Sequence, residues 1–92
     1  MIRSFRSEGL EELFRTGRSG RINAALHRRI LVRLDVLDVA AKPSEMHLPG
    51  FDFHGLQGFD PPRFTVHVNG PWCITFAFVG ADAVDVDLEQ YH

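Results

Sequence analysis

The groups in this sequence best suited to moving protons or holding negative charge are His54, Arg63 and, in the closing segment D-L-E-Q-Y-H, Tyr91 and His92. Imidazoles and a phenol accept and deliver protons, and a guanidinium stabilises developing anionic charge. None of the four lies in a local motif that names a reaction. G-x-x-x-x-G-K and H-E-x-x-H are absent, and Cys73, the one cysteine, has no second thiol with which to make a redox or zinc pair. The five histidines share no metal-ligand spacing with a carboxylate on a common element, so the residues call for no metal and no cofactor. G-L-Q-G, residues 55 to 58, is too short for a phosphate loop, and its glycines suit turns. Any site must therefore be assembled from several separate elements.

Those elements can be read from periodicity. I-R-S-F, residues 2 to 5, alternates as a short first strand, and Ser7 then precedes E-G-L-E-E-L-F, whose early carboxylates favour a helix start. T-G-R-S-G ends that helix. From about Arg21 to Ala40, Ile22, Leu26, Ile30, Leu34 and Leu37 make one apolar stripe of a long amphipathic helix. Arg21 and Arg28 point away from the stripe; Arg29 and Arg33 sit at its edge one turn apart, their stems over the core and their guanidinium groups toward solvent or a partner.

After K-P-S-E-M-H-L-P-G the period changes to two. F-D-F-H-G-L places Phe51 and Phe53 opposite Asp52 and His54. R-F-T-V-H-V-N-G places Phe64, Val66 and Val68 opposite Thr65 and His67. Asn69-Gly70 signals a tight turn into W-C-I-T-F-A-F, and Gly80-Ala81-Asp82 turns again into A-V-D-V-D-L, with Val84, Val86 and Leu88 inward. The outline is one α+β domain, residues 1–92: two N-terminal helices cover one face of a mainly antiparallel sheet. The other face is polar and carries His54, Arg63 or His67, Cys73 and the residues near Tyr91.

The charge is distributed unevenly. Residues 1 to 33 hold eight arginines against three glutamates, whereas residues 34 to 92 hold two cations against nine carboxylates, for a net of -2. An acidic total speaks against a free-standing DNA regulator, and no helix-turn-helix spacing is present. A basic first third whose cations are all arginine still suits a polyanion. The single cysteine suits a reducing compartment, and the first residues contain no long apolar run, so a cytoplasmic protein without a signal peptide or membrane span is expected. On the polar face, His54, Arg63, Tyr91 and His92 hold what RNA cleavage needs: a base for the 2'-hydroxyl, an acid for the 5'-oxygen and a cation for the phosphate. A surface that only binds a partner is equally compatible with those residues.

As a set, M-I-R-S-F, L-P-G-F-D-F-H-G-L-Q-G, R-F-T-V-H-V-N-G-P-W-C-I-T-F and D-V-D-L-E-Q-Y-H resemble the HigB branch of the RelE-like toxins of bacterial type II toxin-antitoxin systems. The resemblance spans essentially all 92 residues, in order. It implies a RelE-like fold and a ribosome-dependent mRNA endonuclease acting in the ribosomal A site without a metal. It also implies neutralisation by a HigA-like helix-turn-helix antitoxin, through which alone the protein would reach operator DNA. By resemblance, His54 is the proton-transfer group, Tyr91 lies against the substrate nucleotide, His92 closes the site and Arg63 clamps phosphate. Arg21, Arg28, Arg29 and Arg33 would then face ribosomal RNA, or the same helices would dock the antitoxin, a choice that charge alone does not make.

Three positions depart from the family pattern. Gln57 stands where lysine is usual, Cys73 where arginine is usual and Gln90 where a carboxylate is usual; all three are expected at the substrate. Two cations are thus missing, and one lost charge-stabilising donor costs on the order of 100-fold in rate. The alternative is a weak or inactive member that binds antitoxin, helps regulate its operon or blocks the ribosome.

Overall fold

The computed structural model describes residues 1–90, so Tyr91 and His92 lie outside the described residues. Helix α1 spans Glu8–Thr16; the Ser7 side chain accepts from the Leu10 amide and Gly17, at φ 88°, closes it. Helix α2 spans His27–Val39 and is entered through a 3-10 turn, Ala24–Leu26, capped by Asn23. The helical period read from Arg21 onward is thus interrupted, because the Asn23 side chain takes the Ala25 amide and imposes a cap inside the stripe. The apolar positions still face one way: Ile22, Leu26, Ile30, Leu34 and Leu37 are all buried.

Four strands follow in chain order: β1 His54–Leu56, β2 Arg63–Asn69, β3 Trp72–Val79 and β4 Asp82–Gln90. Each pairs antiparallel with the next. Both long hairpins turn on a glycine at the first loop position, Gly70 at φ 57° and Gly80 at φ 61°. The strand expected over F-D-F-H-G-L is shortened, since Asp52 adopts φ 47° and turns the chain before His54. The N-terminal segment lies parallel to β4 through Ile2 with Ala83 and Phe5 with Val86, and adds a fourth, short pairing at that edge.

The core lies between the helices and one sheet face. Leu10, Leu13, Ile30 and Leu34 meet Val66, Val68, Ile74, Phe76 and Val86, all fully buried. Phe53, Phe64 and Phe76 run across the sheet on this side with ring centres 5.7 and 6.0 Å apart. Alternation in β4 departs from the simple pattern. An extra residue at Asp85, φ 52°, makes a bulge opposite Phe76, so Ala83 and Val86 both face the core while Val84 pairs with Ala77 on the other side.

Arg33 also departs from expectation. It is only 8% exposed, and its guanidinium lies 4.6 Å over the Phe51 ring. Nε donates to the His67 carbonyl, Nη1 to the Arg29 carbonyl and Nη2 to the Gly50 carbonyl. The register of β2 slips between His67 and Asn69, and Arg33 takes up a carbonyl beside that slip. It is a strut between helix and sheet and is not available to a phosphate.

Two outcomes follow for stability. Arg33→Met strands the His67 and Gly50 carbonyls and should lower unfolding free energy by about 3 kcal/mol, whereas Arg29→Ala should stay within about 0.5 kcal/mol, both read by urea denaturation. Asp82 accepts from Arg3 Nε at 2.8 Å, and this bond, with the charges of Arg3 and the terminal ammonium, holds its carboxyl below the usual range. Its contribution is complete above the unfolded value of about 3.9 and is lost as pH falls through the lower folded value. Asp82→Asn should therefore be less stable than wild type at neutral pH, with the gap closing as urea midpoints are followed into acid.

Candidate active site

The polar sheet face is built from three rows that the register fixes. His54, Thr65, Thr75 and Asp87 are successive partners across β1 to β4 and form the middle row. One step toward the start of β2 lie Leu56, Arg63, Ala77 and Val84; one step the other way lie His67, Cys73 and Glu89. His54 and Arg63 therefore share a face two residues apart along neighbouring strands, a separation of about 7 Å.

His54 is exposed, and its Nδ1 lies 3.0 Å from the Asp52 carbonyl oxygen. A carbonyl only accepts, so Nδ1 carries the proton in the neutral ring and Nε2 is left as the basic nitrogen. The positive φ at Asp52 aims that carbonyl, which makes the turn a device for setting the tautomer.

Arg63 is 4% exposed. Its Nη2 donates to the Thr75 hydroxyl at 3.0 Å and to the Asp85 carbonyl at 2.8 Å. Thr75 in turn donates to the Glu89 carboxylate, giving a chain from cation through hydroxyl to anion. Burial pushes the Arg63 guanidinium below its ordinary value and the charge of Arg6 adds to this; Glu89, Asp85 and Asp87 oppose it. Arginine stays protonated throughout. The Asp85 bulge is held from the other side by Ser4, whose Oγ accepts from the Asp85 amide at 2.8 Å. Thr65 lies between His54 and Thr75 with its hydroxyl buried and unbonded among the described residues.

The other sequence-selected residues distribute unevenly. Cys73 is buried beside His67 and Glu89 on the polar face, and Gln57 is exposed in the bend beyond β1. Gln90 pairs with Trp72, on the side opposite Thr75 and Glu89. Arg28 and Arg29 are exposed on α2; Arg21 is exposed and bound to Glu8 at 2.7 Å. Among the described residues no three His, Cys, Asp or Glu side chains converge as a metal-binding group.

The family description "RelE-like toxin of type II toxin-antitoxin system HigB" matches residues 3–92. This chain belongs to the HigB-like toxins. It is also 34% identical to the endoribonuclease HigB of Proteus vulgaris over 92 residues, the whole of both chains. Two helices on a four-stranded antiparallel sheet agree with the RelE-like α+β class expected from sequence. Sequence reading overlooked the parts that Thr65, Thr75, Glu89 and the backbone of Asp52 and Asp85 play in this candidate site. The threonines alternate on the Arg63 face and were legible there as polar positions, but a hydroxyl acting as a bridge has no distinct sequence signal.

The two threonines should behave oppositely on replacement by the near-isosteric valine. Thr75→Val leaves Arg63 and Glu89 short of a partner and should cost about 2 kcal/mol in urea denaturation; Thr65→Val removes an unbonded hydroxyl and should change stability by no more than about 0.5 kcal/mol, or raise it.

Proposed function

We propose that this HigB-like toxin is an endoribonuclease that cleaves mRNA in the ribosomal A site without a metal and is neutralised by its cognate antitoxin in the cytoplasm. The observation that carries the reading is the pairing of an exposed imidazole, its Nε2 left basic by the Asp52 carbonyl, with a cation on the same sheet face. The relative from Proteus vulgaris bears the name endoribonuclease, which agrees with that chemistry.

In the proposed reaction His54 Nε2 takes the proton of a 2'-hydroxyl, and the oxygen attacks the adjacent phosphorus in line. The bond to the 5'-oxygen breaks, leaving a 2',3'-cyclic phosphate and a 5'-hydroxyl that acquires a proton. Tyr91 and His92 are proposed to orient the nucleotide and deliver that proton. Arg63 stabilises the phosphate oxygens with the nitrogens that Thr75 and Asp85 do not occupy. Gln57 donates a hydrogen bond without neutralising charge. Arg28, Arg29 and Arg21 are proposed to meet ribosomal RNA, a contact weakened by salt. Membership of a type II system implies an antitoxin partner, and we place a HigA-like helix-turn-helix protein in that role, with operator DNA reached through it.

A second reading, a member that stalls ribosomes without cutting, is favoured by one observation: Arg63 Nη2 is already occupied twice within the protein. Primer extension on a reporter mRNA in a reconstituted translation reaction separates the two. Cleavage predicts discrete cuts that need ribosomes and fall at least about 100-fold in His54→Ala and on removal of His92. Intact message with arrested translation establishes blockade. Neither cutting nor arrest leaves antitoxin binding as the function.

A further inference from the structure

A small open cavity adjoins Arg63 at the end of the polar face away from His67. Arg6 and Phe59 line it with Asp60, Asp85 and Ala77. Phe59 is 46% exposed, unlike the buried Phe51 and Phe76, and beyond Asp60 the chain enters Pro61 and Pro62, whose φ angles are fixed. An aromatic ring is thus presented to solvent just ahead of a stiff segment. The Arg6 backbone is anchored to β4 through the Val86 carbonyl, while its side chain is exposed and has no hydrogen-bond or ion-pair partner among the described residues. Its charge is near enough to Arg63 to push that guanidinium down, second only to burial.

The lining contains two cations and two carboxylates beside one ring face. A bare phosphate gains from the arginines but is repelled by Asp60 and Asp85. A nucleobase fits better, because its face stacks on an aromatic ring and its edge carries both acceptors for a guanidinium and donors for a carboxylate. We propose that this cavity is a nucleobase subsite: a base of single-stranded RNA stacks on Phe59 and presents its edge to Arg6 and Asp60, next to the nucleotide being cut. The site rests on the endoribonuclease reading for its place in the reaction, though nucleotide binding is measurable without cleavage. Arg6 comes from the N-terminal segment and Phe59 from the β1–β2 connection, neither of which carries the proposed base.

The test is a titration of the full chain with AMP, GMP, CMP and UMP, following the Phe59 ring and the Arg6 Nε–H by NMR, with ribose 5-phosphate as a control that lacks a base. Saturable shifts with at least one nucleotide and none with ribose 5-phosphate are expected. Phe59→Leu should weaken binding about 10-fold, the scale of one lost base stack, and Phe59→Tyr should retain it. In the translation reaction the same leucine variant should raise KM by a similar factor and leave the cutting step itself intact. Absent shifts, equal shifts with ribose 5-phosphate, or undiminished binding by Phe59→Leu would each overturn the proposal. Base-dependent binding in a protein that never cuts would uphold the subsite and sink the endoribonuclease reading instead.

Discussion

A cation inside a β-sheet must find acceptors there, and the need of Arg63 for them organises much of this protein. The residue is only 4% exposed, and a buried charge left unbonded is costly. Thr75 supplies a hydroxyl from the neighbouring strand, and Glu89 orients that hydroxyl by accepting its hydrogen bond. Asp85 supplies a carbonyl at the bulge, where β4 carries one residue more than β3. A non-glycine residue at positive φ costs about 1 kcal/mol or more, and the Ser4 hydroxyl offsets part of this by accepting from the Asp85 amide. One side chain thus accounts for a threonine, a bulge and the docking of the N-terminal segment.

A second buried arginine shows that an arginine count is a poor guide to a binding surface. Arg33 and Arg29 are one turn apart on α2 and look alike in sequence, yet Arg29 is exposed and Arg33 is bonded to three carbonyls over Phe51. The carbonyls beside the β2 register slip and at Gly50 would be orphaned without it. The basic character of the first third therefore divides into an inner share that holds helix to sheet and an outer share, including Arg28 and Arg29, that faces solvent.

Much of the fold was legible because it rests on periodicity. The stripe from Ile22 to Leu37, the two glycine turns and the polar alternation of β2 and β3 are each dictated by spacing, and each is found. What was not legible rests on single residues that interrupt a period: Asn23 capping inside the stripe, Asp52 turning ahead of β1, and Asp85 reversing the phase of β4. Asparagine and aspartate tolerate such conformations, but most of them in any chain sit in ordinary positions. The site follows the same division. His54 and Arg63 were placed on one face by alternation, whereas the carbonyl that sets the His54 tautomer and the hydroxyl that binds Arg63 depend on backbone angles and rotamers.

The parallel pairing of the N-terminal segment with β4 also has a meaning in time. Ser4 and Asp85, bonded in the finished fold, are 81 residues apart in the chain. During synthesis the N-terminal segment leaves the ribosome long before its neighbour exists, and loop closure over that length must await the last hairpin. The bulge that presents a carbonyl to Arg63 is fastened by that late contact. The arginine is therefore seated only once nearly the whole chain has emerged, so a partly made molecule lacks the assembled polar face.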